Sequence, residues 1–231
     1  MKPDLTKFTQ ALDLNWCDQN LLLEAFTHRS YLNEHKSSNL KHNERLEFLG
    51  DAVLELAVTN YLYQKYPEKP EGELTALRAA LVNANTLSEV AAHLGMNDYL
   101  LLSRGEAKDT GRARQYILAN TYEAVLGAIY LDQGYDRAAE FVATTLFNKT
   151  EAIVADNLWQ DAKSLFQERA QEVMGVTPIY KLVRELGPDH NKRFTVGLYL
   201  EAEEVSLGEG HSKQEAEQDA AQKGLEVKGW K

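Results

Sequence analysis

Three acidic residues, Glu44, Glu47 and Asp51, stand at i, i+3 and i+7 in a segment otherwise built from Leu46, Phe48, Leu49, Ala52, Val53, Leu54, Leu56, Ala57, Val58 and Leu62. At 100° per residue this spacing sets all three within about a 60° sector of one helix face, one above another. Stacked like charges repel, and a carboxylate taken out of water without a partner costs several kcal/mol, so something cationic has to offset them. A second apolar segment carries Asn120 and Glu123 at i, i+3 among Ile117, Leu118, Ala119, Ala124, Val125, Leu126, Ala128 and Ile129. If the two segments cross, five oxygen-bearing side chains converge. Carboxylate and amide oxygens are hard ligands that suit Mg²⁺, with Mn²⁺ able to substitute, and the chain offers no Cys/His cluster for zinc. Gly50 and Gly127 each cost about 1 kcal/mol against Ala in a helix and mark close approach of helix backbones. A solvated acidic helix face fits the spacing as well; the apolar surroundings favour a metal site.

The elements that position these residues are helical from Leu5 to about Lys149. Apolar spacing predicts helices at 21–26, 45–66, 73–82, 86–94, 117–131 and 137–147, with Pro67, Pro70, Gly95 and Gly134 at the breaks. Residues 102–115, with Gly105, Gly111, Arg104, Lys108, Arg112 and Arg114, read as a solvated basic loop ahead of a buried helix. After a short polar join near 156–161 the pattern changes. A helix over 162–174, with Phe166, Ala170, Val173 and Met174 at core spacing, precedes strands at 179–183, 193–200 and 204–208. A last helix opens on the Ser212-Lys213-Gln214-Glu215 capping box. This is an all-α domain over residues 1–150 followed by a small α+β domain, α-β-β-β-α, over 157–231.

Composition narrows the class. The 231 residues are 44% hydrophobic and 26% charged, as in ordinary globular proteins. The single cysteine, Cys17, excludes an internal disulfide and reads as an inert buried thiol. No stretch is apolar enough to span a membrane, and the start lacks a signal core, so a cytoplasmic protein with no membrane partner is expected. The formal net charge of -10 weighs against a polyanion partner.

The string His42-Asn43-Glu44-Arg45-Leu46-Glu47-Phe48-Leu49-Gly50-Asp51-Ala52-Val53-Leu54 resembles the signature of the bacterial ribonuclease III family. Ala25–Ser30, Glu71–Leu74, Leu77–Val82 and Ile117–Gly127 resemble further family segments in the expected order, and the α-β-β-β-α tail resembles the double-stranded RNA-binding domain that follows the nuclease domain. The resemblance implies an Mg²⁺-dependent endonuclease on double-stranded RNA that processes ribosomal RNA precursors and structured transcripts. It implies a homodimer that leaves 5′-phosphate and 3′-hydroxyl ends with short 3′ overhangs. Carried over residue by residue, Glu47, Asn120 and Glu123 are the metal ligands, Asp51 orients the attacking water, and Glu123 counts as catalytic as well. Glu44 is a further catalytic candidate, either behind the ligands or at a second metal ion, and Glu71 a weaker one, for which a helix-entry carboxylate is the better reading.

Asn120 departs from the pattern, because the family carries aspartate there. Asparagine keeps a carbonyl oxygen but removes one negative charge, which predicts weaker Mg²⁺ binding. A working natural variant, a natural variant that binds without cutting, and an engineered change all fit, and the first is favoured. The corresponding alternative function is a non-cutting or catalytically weakened double-stranded RNA-binding protein. An unrelated all-α phosphohydrolase would leave the tail unexplained.

In the tail, the resemblance places Gln167 and Glu168 against the 2′-hydroxyls and base edges of the shallow minor groove, with His190 in the 187–192 hairpin as a second probe. It places Lys213 and Gln214 at phosphates across the major groove, where the free amides of a helix N-terminus already favour an anion. Gln214 stands where a second lysine is common, which predicts a shallow salt dependence. Residues 1–156 hold 15 Lys+Arg against 22 Asp+Glu, and residues 157–231 hold 10 against 13. Neither part is basic, so any positive surface must be local, built from Lys192, Arg193, Lys213 and the 104–114 loop.

Overall fold

Buried apolar stripes set the architecture of each part. The computed structural model describes residues 3–12, 16–155, 162–188 and 192–230, and it divides into two compact units, Met1–Trp159 and Gln160–Lys231. In the first unit the described residues form α1 (Thr6–Ala11), α2 (Gln19–Ala25), α3 (Arg29–Glu34), α4 (Glu44–Lys65), α5 (Glu71–Val82), α6 (Ala84–His93), α7 (Arg112–Gln133), α8 (Tyr135–Thr145) and α9 (Thr150–Ala155). Helices α4 and α7 cross at the centre. Leu46, Val53, Leu54, Val58 and Leu62 of α4 meet Leu118, Tyr122, Val125, Leu126 and Ile129 of α7 in one core. Each fully buried Leu or Ile there contributes about 1.5–3 kcal/mol.

The crossing is possible because two positions lack a side chain. A Cβ on Gly50 would run into the backbone carbonyl of Glu123, and one on Gly127 into that of Leu46. The pair of glycines therefore serves contact within the chain, and Gly50 is not available to a second subunit.

Several sequence expectations change. Helix α7 begins at Arg112, five residues before the predicted start, because its first turn is exposed and carries no apolar period. The short helices α1, α3 and α9 carry too few buried residues to show a stripe. Helix α4 is central but not buried all round: Phe48 is 82% exposed and Leu56 57%. Cys17 is exposed rather than buried, with its backbone N–H donating to the Asp132 carboxylate at 3.0 Å.

The second unit contains α10 (Ala162–Met174), β1 (Ile179–Leu186), β2 (Arg193–Leu200), β3 (Glu203–Gly210) and α11 (Lys213–Lys228), with an antiparallel sheet in the order β1-β2-β3. Leu198 pairs with Tyr180 on one side and Ser206 on the other. Ala162, Phe166 and Ala170 of α10 and Ala220, Ala221 and Leu225 of α11 pack against Leu198, Leu200 and Val205 of the sheet. Val173 and Met174 are exposed instead of core. The chain turns at Gly175, φ 68°, and Val176 packs against the core in their stead. Gly208 lets α11 lie directly on β3, since a Cβ there would strike the backbone of Ala216 and Ala220.

Candidate active site and nucleic-acid interface

The start of α4 is tied down before any acidic residue appears. Asn43, 2% exposed, donates its backbone N–H to the Thr27 carbonyl at 2.9 Å and its side-chain amide to the Ala25 carbonyl at 3.2 Å. His28 caps α3 by accepting from the Ser30 N–H at 3.3 Å, and Ser30 Oγ accepts from the Ser103 N–H at 3.0 Å. These bonds lock the 25–30 turn to the loop that leads into α7. Burial pushes the His28 imidazole below its usual range, and the Arg29 and Arg114 charges act in the same direction against Glu106 and Glu44.

On this frame Glu44 and Asp51 are exposed while Glu47, Asn120 and Glu123 are half-buried. The Asn120 side chain reaches the Glu47 carboxylate across the helix crossing and lowers its pKa by hydrogen bonding. Burial raises the Glu47 carboxyl, Glu44 and Asp51 push it the same way, and the Asn120 hydrogen bond opposes them. Glu123 is pushed up to about 8, first by burial and then by the charges of Asp51 and Glu47. The expected repulsion within the acidic row is therefore present.

Among the described residues the expected cation meets the first of these carboxylates, Glu44, at the rim. Arg29 Nη1 donates to Glu44 Oε1 at 3.2 Å, and His42 Nδ1 lies 3.7 Å from Glu44 Oε2. Among the described residues no group of three or more His, Cys, Asp or Glu side chains is placed to hold a metal ion. What the crossing brings together is two carboxylates and an amide, Glu47, Asn120 and Glu123, with Asp51 one turn further along α4. Hard oxygen donors with surplus negative charge and an open side fit a magnesium-type ion, which keeps part of its water shell. Glu71 is the first residue of α5 and accepts from Thr75 Oγ1 at 3.3 Å, as a helix-entry carboxylate does.

The basic loop divides by geometry. Arg114 turns inward, donating to the carbonyls of Glu106 at 2.7 Å and Asp109 at 3.1 Å, so it shapes the loop. Arg104, Lys108 and Arg112 are exposed. Glu34 anchors the loop by accepting from the Arg104 N–H at 3.2 Å. The sequence offered no sign of this division, nor of the Asn43, Ser30 and Ser103 tethers, because each joins residues remote in the chain or bonds through backbone.

In the second unit Gln167 and Glu168 are exposed on α10 and, with Ser164, Gln171 and Glu172, line one shallow groove. Lys213 and Gln214 form the exposed first turn of α11. Ser212 Oγ accepts from the Glu215 N–H at 3.1 Å, and Glu215 reaches back to the His211 N–H at 2.8 Å, one residue beyond the usual capping-box partner. His190 lies outside the described residues. Lys192 is paired with Glu185 at 2.8 Å, so its charge is locally offset.

Comparison with known proteins bears on both units. Residues 18–150 match the family profile described as Ribonuclease-III-like, and residues 162–228 match the double-stranded RNA binding motif. Fold and site thus define a nuclease that carries its own duplex-binding domain. The chain belongs to the ribonuclease III family and is a double-stranded RNA endoribonuclease. It is 44% identical over 220 residues to Ribonuclease 3 of Enterococcus faecalis, covering 95% of each chain. It is also 44% identical over 228 residues to Ribonuclease 3 of Borreliella burgdorferi, covering 98% of this chain and 92% of that one. A solved nuclease domain of the Campylobacter jejuni enzyme, 39% identical with a TM-score of 0.56, covers 62% of this chain and 95% of its own; its description refers to a region involved in dimer formation. Among the described residues no helix is long and apolar enough to cross a membrane.

Proposed function

We propose that this chain hydrolyses phosphodiester bonds of double-stranded RNA with Mg²⁺ held by Glu47, Asn120 and Glu123, Mn²⁺ being able to substitute. The observation that carries the reading is the glycine-to-glycine crossing of α4 and α7, which sets Glu47, Asn120 and Glu123 on one half-buried face beside exposed Asp51. A divalent ion bound there lowers the pKa of water and offsets charge on the phosphate oxygens. Asp51 orients the attacking water and can accept its proton from the open side. Glu44, held by Arg29, flanks this position at the rim. Cleavage leaves 5′-phosphate and 3′-hydroxyl ends with short 3′ overhangs, on ribosomal RNA precursors and structured transcripts in the cytoplasm.

The active form is a homodimer. Phe48, Ala52, Leu56 and Tyr63 form an exposed stripe along α4, about a quarter-turn round the helix from the acidic row. A two-fold contact on that stripe sets one acidic row on each side of a common seam, one for each strand. Duplex RNA is held by Gln167 and Glu168 in the minor groove and by Lys213 with the α11 N-terminus at a phosphate.

A second reading, a binder that does not cut, rests on Asn120, whose amide engages Glu47 and adds no charge. Labelled duplex incubated with Mg²⁺ or with chelator separates the two: metal-dependent fragments are expected, and an intact shifted duplex in both would establish the binder. Repeating the Mg²⁺ titration with Asn120→Asp should move the cleavage midpoint to lower Mg²⁺. Superimposed curves would show that position 120 does not tune the site.

A further inference from the structure

Two of the segments that resemble the family, Ala25–Ser30 and Leu77–Val82, supply no group to the reaction proposed above, yet each sends one arginine to α4. Arg29, the first residue of α3, meets Glu44 at 3.2 Å. Arg78 of α5 lies 3.5 Å from Glu55 Oε2 and donates to Thr59 Oγ1 at 3.0 Å. Glu55 follows Asp51 by four residues and shares its face, so the acidic row on α4 runs Glu44, Glu47, Asp51, Glu55. Arginines hold its two ends. The middle, which α7 completes with Asn120 and Glu123, has no ion pair with Lys, Arg or His among the described residues.

This arrangement answers a problem that a row of carboxylates creates. At one residue per turn, neighbouring pairs offer a hard divalent ion overlapping resting places that differ by about 5.4 Å along the helix. Only the central one also lies against Glu123. An ion resting one turn away would be misplaced by far more than the roughly 1 Å that already impairs a reaction. Guanidinium is the suitable group for closing the ends, since it stays charged at every working pH. Both pairs are partly exposed, with Arg29 68% and Glu44 45% accessible, so they add little to folding stability and act chiefly through their charge.

We infer that Arg29 and Arg78 are positioning residues that neutralise the two ends of the acidic row and confine the divalent ion to its centre. The inference rests on the metal-dependent reading of the site. A unit positive charge a few ångströms away disfavours a divalent ion by roughly tenfold or more even in water-like surroundings, which is enough to choose between adjacent positions.

The test is Mn²⁺ binding to the full chain, read from the loss of the free-ion electron paramagnetic resonance signal. Arg29→Gln and Arg78→Gln are each expected to bind additional Mn²⁺ per chain at free concentrations where the wild type shows only its central site. Arg29→Lys and Arg78→Lys, which keep the charge, are expected to restore the wild-type isotherm. Adding Glu55→Gln to Arg78→Gln should remove the extra binding, because the released carboxylate is gone. Gln isotherms that superimpose on the wild type would overturn the inference while leaving the metal site intact, as would Lys variants that behave like Gln. A wild type that binds no Mn²⁺ would overturn the inference and the metal-dependent reading together. Thermal melts of each variant identify any that fail to fold, and the charge-keeping and double variants then carry the comparison.

Discussion

Glu123 is forced by the fold into surroundings that oppose its charge. Its carboxyl sits at about 8 because burial, Asp51 and Glu47 all disfavour ionisation. The folded protein therefore holds this proton more tightly than the unfolded chain, whose carboxyl titrates near the model-peptide value of about 4.3. Below that pH the group is neutral in both states and costs nothing. As pH rises towards 8 the metal-free fold is progressively destabilised, on the order of 2–4 kcal/mol once exposure is allowed for. Glu123→Gln removes that cost, so in chelator the wild-type thermal midpoint should fall by about 5 °C or more relative to the variant's between pH 5 and 9. Mg²⁺ at pH 8 should recover the difference in the wild type alone, and cleavage by the variant should drop at least about a hundredfold. Parallel pH profiles would show that Glu123 carries no such penalty.

At the scale of elements, the site exists because α4 and α7 touch at backbone distance. Gly50→Ala pushes a methyl into the Glu123 carbonyl and must part the helices, so it should cost about 1–3 kcal/mol and disrupt the site together. Gly72→Ala is the control: its Cβ meets nothing within 4 Å in the first turn of α5, and it should stabilise by about 0.4–1 kcal/mol with cleavage unchanged. Urea denaturation with a cleavage assay on both variants checks the contrast. The glycines and the acidic spacing were legible in the sequence because both follow helical periodicity, which also located most of α4 and α7, while the strand pattern located the sheet. Periodicity is silent where a helix turn is wholly exposed, hence the misplaced start of α7, and where a stripe serves a surface rather than the core, hence Phe48. Nor does it join distant residues: Arg29 meets Glu44, and Arg78 meets Glu55, only after the chain has folded.

For the whole molecule, the exposed Phe48 and the net charge of -10 each bear on what the protein binds. Phe48→Glu places a charge in the middle of the α4 stripe, and sedimentation should show the proposed homodimer replaced by a 26.1 kDa monomer with its helical content kept. A variant that still sediments as a dimer would move the subunit contact elsewhere. The charge bears on RNA. In the second unit Lys163, Arg169, Lys192, Lys223 and Lys228 are each paired with a carboxylate, so five of its cations are already locally offset. Duplex binding is then expected to rest on few phosphate contacts, from Lys213 with the free amides at the start of α11, from Arg193 and from the exposed Arg104, Lys108 and Arg112, and on the minor-groove contacts of Gln167 and Glu168 on α10. Counterion release scales with the number of phosphates neutralised, so a plot of log K against log salt should have a slope of only about -3 to -4. Lys213→Ala should flatten it by about 1 and Gln214→Lys should steepen it by about 1, because each changes the phosphate contacts by one. A wild-type slope of about -7 or steeper would mean that the offset lysines exchange their carboxylates for phosphates on binding, and that the acidity of this chain does not restrain its hold on RNA.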